Sequence, residues 1–367
     1  MPKANKKLGN PFLEHAFFLA LEQSGSATPE TGWQPQHILI EQDGKPLGLL
    51  PQFLKSHSQG EYVFDHAWAD AFMRAGGEYY PKLQASVPFT PATAPKLLTT
   101  GNDIEIQRAL LSTSEQLAHR LGASSIHATF VTDEEEQIAE SVGWFSRHDT
   151  QYHWFNQGYE TFDDFLSTLS SRKRKNIRRE RKNALAEGIR VEWISGGDLK
   201  ETHWDEFFEF YMDTGTRKWG HPYLTREFFS LVSQNMSESV VLMLAYDGEE
   251  PIAGALNFVG SDTIYGRNWG CSRDVPFLHF ELCYYQAIDY AIAHKLKTVE
   301  AGAQGEHKLA RGYVPSVTRS IHWIAHEGLR NAVTQYVTQE KLAVLEDQAH
   351  LGRFTPYRKG NQPSNGD

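Results

Sequence analysis

Between Val299 and Pro315 the chain reads VEAGAQGEHKLARGYVP, with three glycines set among Glu300, Glu306, His307, Lys308 and Arg311. Glycines at Gly302, Gly305 and Gly312 free the backbone to approach a ligand closely. Successive backbone N–H groups in such a loop cradle an anion. Lys308 and Arg311 add cationic donors for a carboxylate, a carbonyl oxygen or a phosphate. The order is not that of a P-loop, because GxxxxGK[ST] is absent. The same composition also describes a glycine turn with solvated charges.

A second concentration of charge lies at 172–182, RKRKNIRRERK, with eight basic residues and one acid in a chain of formal net charge -10. Helical spacing gathers Ile177, Ala184 and Leu185 on one stripe and leaves the basic residues over the rest. A solvated helix face is one reading. Phosphate-bearing ligands are the other, namely a nucleotide, a CoA or a tRNA, with Arg172, Arg174 and Arg178 as anchors.

Two further groups can do acid–base or binding chemistry. EYVFDHAWAD, 61–70, sets Asp65 beside His66, and YYPKLQASVPFTP follows with Tyr80 and Lys82. Adjacent strand residues point to opposite faces, so Asp65 and His66 count as separate base candidates rather than a dyad. YGRNW, 265–269, places Arg267 in an apolar strand, where a buried cation needs a partner. Glu281 and Glu300 are the available acids, with Trp269 and Tyr285 nearby as binding surface or core. No metal is expected: sixteen histidines include no HExxH, there is no CxxC, and His322 and His326 sit on a strand and its exit. A GxSxG elbow is also missing.

The elements that must position these residues read as two α/β units. The 367 residues are 40% hydrophobic and 22% charged, enough for two full cores. No apolar run approaches the ~18 residues of a membrane span, and the start lacks a secretory h-region. Two cysteines twelve apart, Cys271 and Cys283, suit thiols in a reducing cytoplasm. Pro11–Glu22 reads as a helix capped by Asn10. Asp43-Gly44 and Asp247-Gly248 signal hairpins. Tyr62–Asp65 and Thr298–Ala301 read as short strands, and Ile104–Leu121, Ser171–Glu187, Phe277–His294 and Leu329–Leu345 as helices. A helix, a hairpin with a DG turn, a strand, a helix and a strand thus occur twice, which implies mixed sheets around two central hairpins. The boundary falls near 155–161.

The stretch FLHFELCYYQAIDYAIAHKLKTVEAGAQGEHKLARGYVP resembles the second-half signature of the Fem-like peptidoglycan-bridge transferases: a helix, a strand, then G-x-x-G-x-x-K-x-x-x-G-[FY]. KSHSQGEYVFDHAWADAF and YYPKLQASVPFTPATAPKLL are similar to a branch of that superfamily labelled peptidoglycan biosynthesis/recognition. The resemblance covers residues 10–350. It implies an α/β class (α+β mixed sheets) with tandem GNAT-like domains of acyl-CoA N-acyltransferase-like fold: 1–158 completed by 320–350, then 159–319, then a tail at 351–367. It also implies a cytoplasmic acyltransferase with no tightly bound cofactor. The acyl group would pass from acyl-CoA or aminoacyl-tRNA to an amine on a small molecule or cell-wall precursor. Lys308 falls on the lysine of the loop and is expected at the donor carbonyl or a phosphate, with Asp65, His66, Glu306 and His307 as bases. The coiled-coil arms of the bridge-forming enzymes have no counterpart here. The rival readings are an acyl-CoA N-acyltransferase for a small amine, and a non-catalytic GNAT-fold module that binds a nucleotide-sugar precursor or RNA.

Overall fold

A computed structural model describes residues 9–218, 222–303, 305–358, 360, 361 and 363. The chain forms two compact units. The N-terminal unit comprises Gly25–Thr150 and Val317–Ala349; the C-terminal unit comprises Gln151–Ser316 with the segments up to Ser24 and from His350 onward.

In the N-terminal unit the strands run in the order Trp33–Pro35, Phe53–Lys55, Lys82–Ala85, Ser125–Val131 and the Val317–Ile324 part of the strand that begins at Val314. The third pairing, Lys82–Ala85 with Ser125–Val131, is parallel and the other three are antiparallel. Helix Ile104–Leu121 covers the sheet. Asp103 caps it by accepting from the N–H groups of Glu105 and Ile106, and Gly122 ends it in the left-handed region. Leu110, Leu111 and Leu117 of that helix pack with Leu83, Ile126 and Ile321 of the sheet. The Asp43-Gly44 hairpin forms as expected, joining Ile38–Gln42 to Lys45–Leu50, with both turn residues at positive φ. Tyr62–Asp65 is not a strand. Tyr62 has φ 60°, and the segment leads into helix His66–Arg74.

In the C-terminal unit the order is Gln151–Phe155, Thr298–Glu300, Thr263–Cys271, Glu250–Val259, Val240–Asp247 and Ile189–Ser195. Thr298–Glu300 runs parallel to Thr263–Cys271, and the remaining pairs are antiparallel. Strand Val240–Asp247 is buried along nearly its whole length, which its unbroken run of apolar residues anticipates. Helix Glu201–Lys218 lies against Thr263–Cys271 at Gly270, where a Cβ would stand 2.2 Å from the Phe210 carbonyl carbon. The expected Pro11–Glu22 helix is a short 3-10 turn, Pro11–Leu13, followed by helix His15–Gln23. The break at Glu14 seats the Phe12 ring against Phe17, Phe258 and Tyr265.

Helix Leu278–Ala293 is interrupted by a π-turn over Glu281–Tyr285. Such insertions recur where a helix presents side chains to a site. Here the turn carries Glu281, Tyr284 and Tyr285 inward.

Candidate active site around the Lys308 loop

Strands Thr263–Cys271 and Thr298–Glu300 pair only over Thr263–Tyr265 and Thr298–Glu300. Beyond Tyr265 and Glu300 the pairing ends. The longer strand bulges at Arg267, since Asn257 opposes Gly266 while Leu256 opposes Asn268. Bulges re-aim side chains beside active sites. After Glu300 the chain leaves the sheet and forms the 3-10 turn Glu306–Arg311.

Lys308 is 1% exposed and its Nζ donates to the Gly302 carbonyl at 2.8 Å. Among the described residues that is its one hydrogen bond, so two of three N–H donors remain for a ligand. Burial lowers its pKa to about 8, leaving it mostly cationic at neutral pH. Gly305 adopts φ 121°, and a Cβ there would stand 2.5 Å from His307 Cε1. Gly312 has φ 93° and faces the Phe165 ring. Tyr357, from the stretch read as a tail, is buried and donates its hydroxyl to the Gly312 carbonyl at 2.6 Å. Both ends of the loop are thus fixed.

His307 is exposed, and its Nε2 lies 2.8 Å from the Tyr284 hydroxyl. Partial burial of the ring and the neighbouring charges of Arg311 and Lys308 lower its pKa, so the ring is neutral at pH 7. Arg311 donates to the His307 carbonyl at 2.7 Å and to Glu180 at 3.0 Å, with its guanidinium 3.5 Å from the Phe280 ring centroid. Glu306 is exposed. Among the described residues the buried Glu300 Oε2 has no hydrogen-bond partner; burial raises the pKa of the carboxyl to about 8.

The remaining predicted residues divide. Glu281 is fully buried in a bidentate pair with Arg181, which also bonds Asp289 at 2.6 Å. Tyr285 is fully buried and donates to Glu180. Those two serve the core of the unit. Trp269 lines a cleft of about 480 Å³ with Cys271, Phe277 and Phe280. Arg267 is half-buried, 5.7 Å from the Phe12 ring. On helix Ser171–Ala184, Arg172 and Arg178 are exposed and Arg174 is half-buried; Arg178 bonds Asp163 at 2.8 Å. At 100° per residue, Arg178, Lys182, Lys175, Arg179 and Arg172 span an exposed arc of about 120°. The inward side carries Ile177, Glu180, Arg181 and Ala184.

Asp65, His66, Tyr80 and Lys82 belong to the other unit. There Lys55 and Lys82 stand directly opposite on adjacent antiparallel strands. Like charges in that register repel, and two acids answer them. Lys82 donates to Glu61 at 2.7 Å and to Asp65, and Lys55 lies 3.9 Å from Glu61 and 3.4 Å from the centroid of the Trp33 ring. Burial pushes the Asp65 carboxyl up, but the Lys82 ammonium outweighs it and holds the group ionised. For Glu61 burial dominates and raises the pKa to about 7; burial lowers Lys55 to about 7. His127 and His322, opposite on neighbouring strands, share a 2.7 Å hydrogen bond and are kept neutral by burial. Asp65 is therefore tied into an ion-pair network, whereas His66 is exposed and Tyr80 bonds Ser58 at 2.8 Å.

Sequence reasoning missed Glu61, Lys55 and His127, and in the other unit Glu180 and Arg181. The parity of charges within apolar strands was the one signal available: a lysine in each of two neighbouring strands demands acids somewhere.

Mixed sheets in both units, with the Lys308 loop at the end of the last short strand, define a tandem GNAT-like α/β fold. A family model described as FemAB-like, peptidoglycan biosynthesis/recognition, matches residues 3–359. The chain belongs to that family. Its fold is similar to that of FemX, at 14% identity and TM-score 0.54 over 90% of this chain and 100% of that one. L-PGS from Bacillus licheniformis aligns at 10% identity and TM-score 0.54, over 91% and 99%. The C-terminal domain of a putative lysylphosphatidylglycerol synthetase from Agrobacterium fabrum aligns at 9% and 0.54, over 87% and 96%. No curated protein matches the chain in sequence. Among the described residues no helix is long and apolar enough to cross a membrane, and no His/Cys/Asp/Glu group has the arrangement of a metal site.

Proposed function

We propose that the protein transfers an acyl group from an activated donor to an amine, with the donor carbonyl held at Lys308. The observation that carries this reading is the buried ammonium with two N–H donors to spare, where two parallel strands part. Attack of an amine on an ester or thioester carbonyl places negative charge on the carbonyl oxygen. A fixed cation in a dry site stabilises that charge far better than water-exposed lysine. The attacking nitrogen loses a proton, and the leaving oxygen or sulfur gains one. With His307 Nε2–H donating to the Tyr284 hydroxyl, Nδ1 of the neutral ring is left to accept the amine proton. Arg311 and Glu180 position this ring through the His307 carbonyl.

The donor is an acyl-CoA or an aminoacyl-tRNA, and the exposed arc of Arg172, Lys175, Arg178, Arg179 and Lys182 suits the phosphates of either. Membership of a peptidoglycan-related family supports a cell-wall precursor as the acceptor and a cytoplasmic setting. Mass spectrometry of species that co-purify with the protein names candidate donors and acceptors. The test is single-turnover transfer with those substrates. Lys308→Ala should abolish most of the rate, and full turnover by that variant rejects the role.

A further inference from the structure

The cleft that opens beside Trp269 is built unlike an ordinary surface groove. Its walls carry four rings in a chain of contacts. Trp269 meets His279 edge-on at 5.2 Å, His279 lies 5.6 Å from Phe280, and Phe277 lies 6.4 Å from Phe280. Phe277 has φ 68°, a conformation that bulky side chains rarely adopt. Left-handed backbone at a large aromatic residue persists only where the surroundings impose it, and such positions cluster at ligand sites. Four residues further on, the helix that Phe277 caps takes its π-turn. Two backbone irregularities therefore flank one cleft of about 480 Å³, more than enough for a single heteroaromatic ring system with its substituents. At its rim stands Asp274, exposed and with no ion pair among the described residues, while the adjacent Arg273 is committed to Asp247.

Phe280 joins this cleft to the Lys308 loop. The Arg311 guanidinium lies 3.5 Å from its ring centroid and the His307 ring 5.6 Å away. A ligand in the cleft thus contacts the aromatic wall that supports the loop.

We propose that the cleft is a slot for a planar aromatic group of the acyl donor, with Asp274 accepting an N–H from that group or from an amine beside it. The proposal rests on the transferase reading of the Lys308 loop and specifies what the donor must carry. The ring has two possible sources, a purine base of the donor's carrier or an aromatic side chain of the acyl group. Both stack on aromatic walls by the same physics.

Calorimetric titration of the full chain separates these sources, with adenosine, phenylalaninamide and glycinamide as probes. At least one ring-bearing probe should bind ten times more tightly than glycinamide or better. Adenosine alone marks the carrier base; phenylalaninamide marks the acyl side chain, and its affinity should fall in Asp274→Asn. Phe277→Gly removes one wall while suiting the left-handed backbone, so the fold should persist in a thermal melt. Its affinity for the ring should drop about tenfold. Trp269→Leu provides a second removal from a different element. Ring probes that bind no better than glycinamide, or equal binding in both variants, overturn the slot. Lys308-dependent transfer without ring binding rejects the slot and leaves the transferase standing. Ring binding that persists while Lys308→Ala keeps full turnover rejects the role of Lys308 and leaves the slot.

Discussion

Glu180 and Arg311 are 131 residues apart in the chain and bonded at 3.0 Å, and Tyr285 donates to the same carboxylate oxygen. Glu180 is the single acid among the eight cations of 172–182. Its turn of the helix faces the Lys308 loop rather than solvent, so the most basic helix of the protein grips the loop through its one negative charge. Glu180→Gln keeps the shape and removes the charge. The buried guanidinium of Arg311 then loses its ion partner, a change of about 1–3 kcal/mol. The expected result is a transfer rate at least tenfold lower, seen in kcat more than in KM, with Glu180→Asp intermediate. Steady-state kinetics on the three proteins decides it.

Lys308 predicts a pH signature. Its pKa is lowered to about 8 by burial, and the proposed role needs the ammonium. The chemical step should therefore slow as pH rises through about 8. Lys308→Ala should lose roughly a hundred- to a thousandfold, the cost of deleting one oxyanion donor. Lys308→Arg cannot deprotonate in that range, so whatever activity it retains should lack the alkaline limb. A pH–rate profile that is flat from 7 to 9 in the wild type contradicts the assignment.

Glu300 should reveal itself in stability. Burial raises its pKa to about 8, whereas in the unfolded chain it ionises near 4.3. Between those values the folded state holds the proton and the unfolded state does not. Unfolding therefore releases a proton, and stability falls with rising pH by up to about 1.4 kcal/mol per unit. The contribution is complete below the lower value and gone once pH passes the upper one. Glu300→Gln should remove this slope. Urea midpoints at pH 5 and pH 8 should differ less in the variant than in the wild type.

In the N-terminal unit Lys82 is the keystone of the charge cluster. Lys82→Met leaves Asp65 buried without its paired lysine and Glu61 with Lys55 alone at 3.9 Å, which should cost about 3–5 kcal/mol. Adding Asp65→Asn should recover part of the loss by removing the charge left alone. Denaturant unfolding of the single and double variants measures both. A single variant as stable as the wild type would mean that water already solvates these acids.

Much of the fold was written locally. Asp43-Gly44 and Asp247-Gly248 specify tight turns by backbone conformation alone, and both hairpins form where they stand. The helix Ile104–Leu121 carries its own cap and its own terminating glycine. Lys308 was legible because glycine spacing and a lone lysine sit within one short loop. Tyr62–Asp65 misled because its alternation of residue types is that of a strand, while the tertiary setting holds Tyr62 at positive φ and seats Asp65 at a helix start.

The chain by itself determined the elements, the loop with its lysine and the surplus of positive charge on one helix, since each depends on neighbours in sequence. Which cation meets which acid was decided only by the tertiary structure. Lys55 faces Lys82 because strand register sets them opposite, and Glu61 and Asp65 then gather around them. Glu180 finds Arg311 because the inward face of one helix packs beside a loop far along the chain. Electrostatic partners act through a few ångströms of space, and no pattern along the sequence encodes that distance.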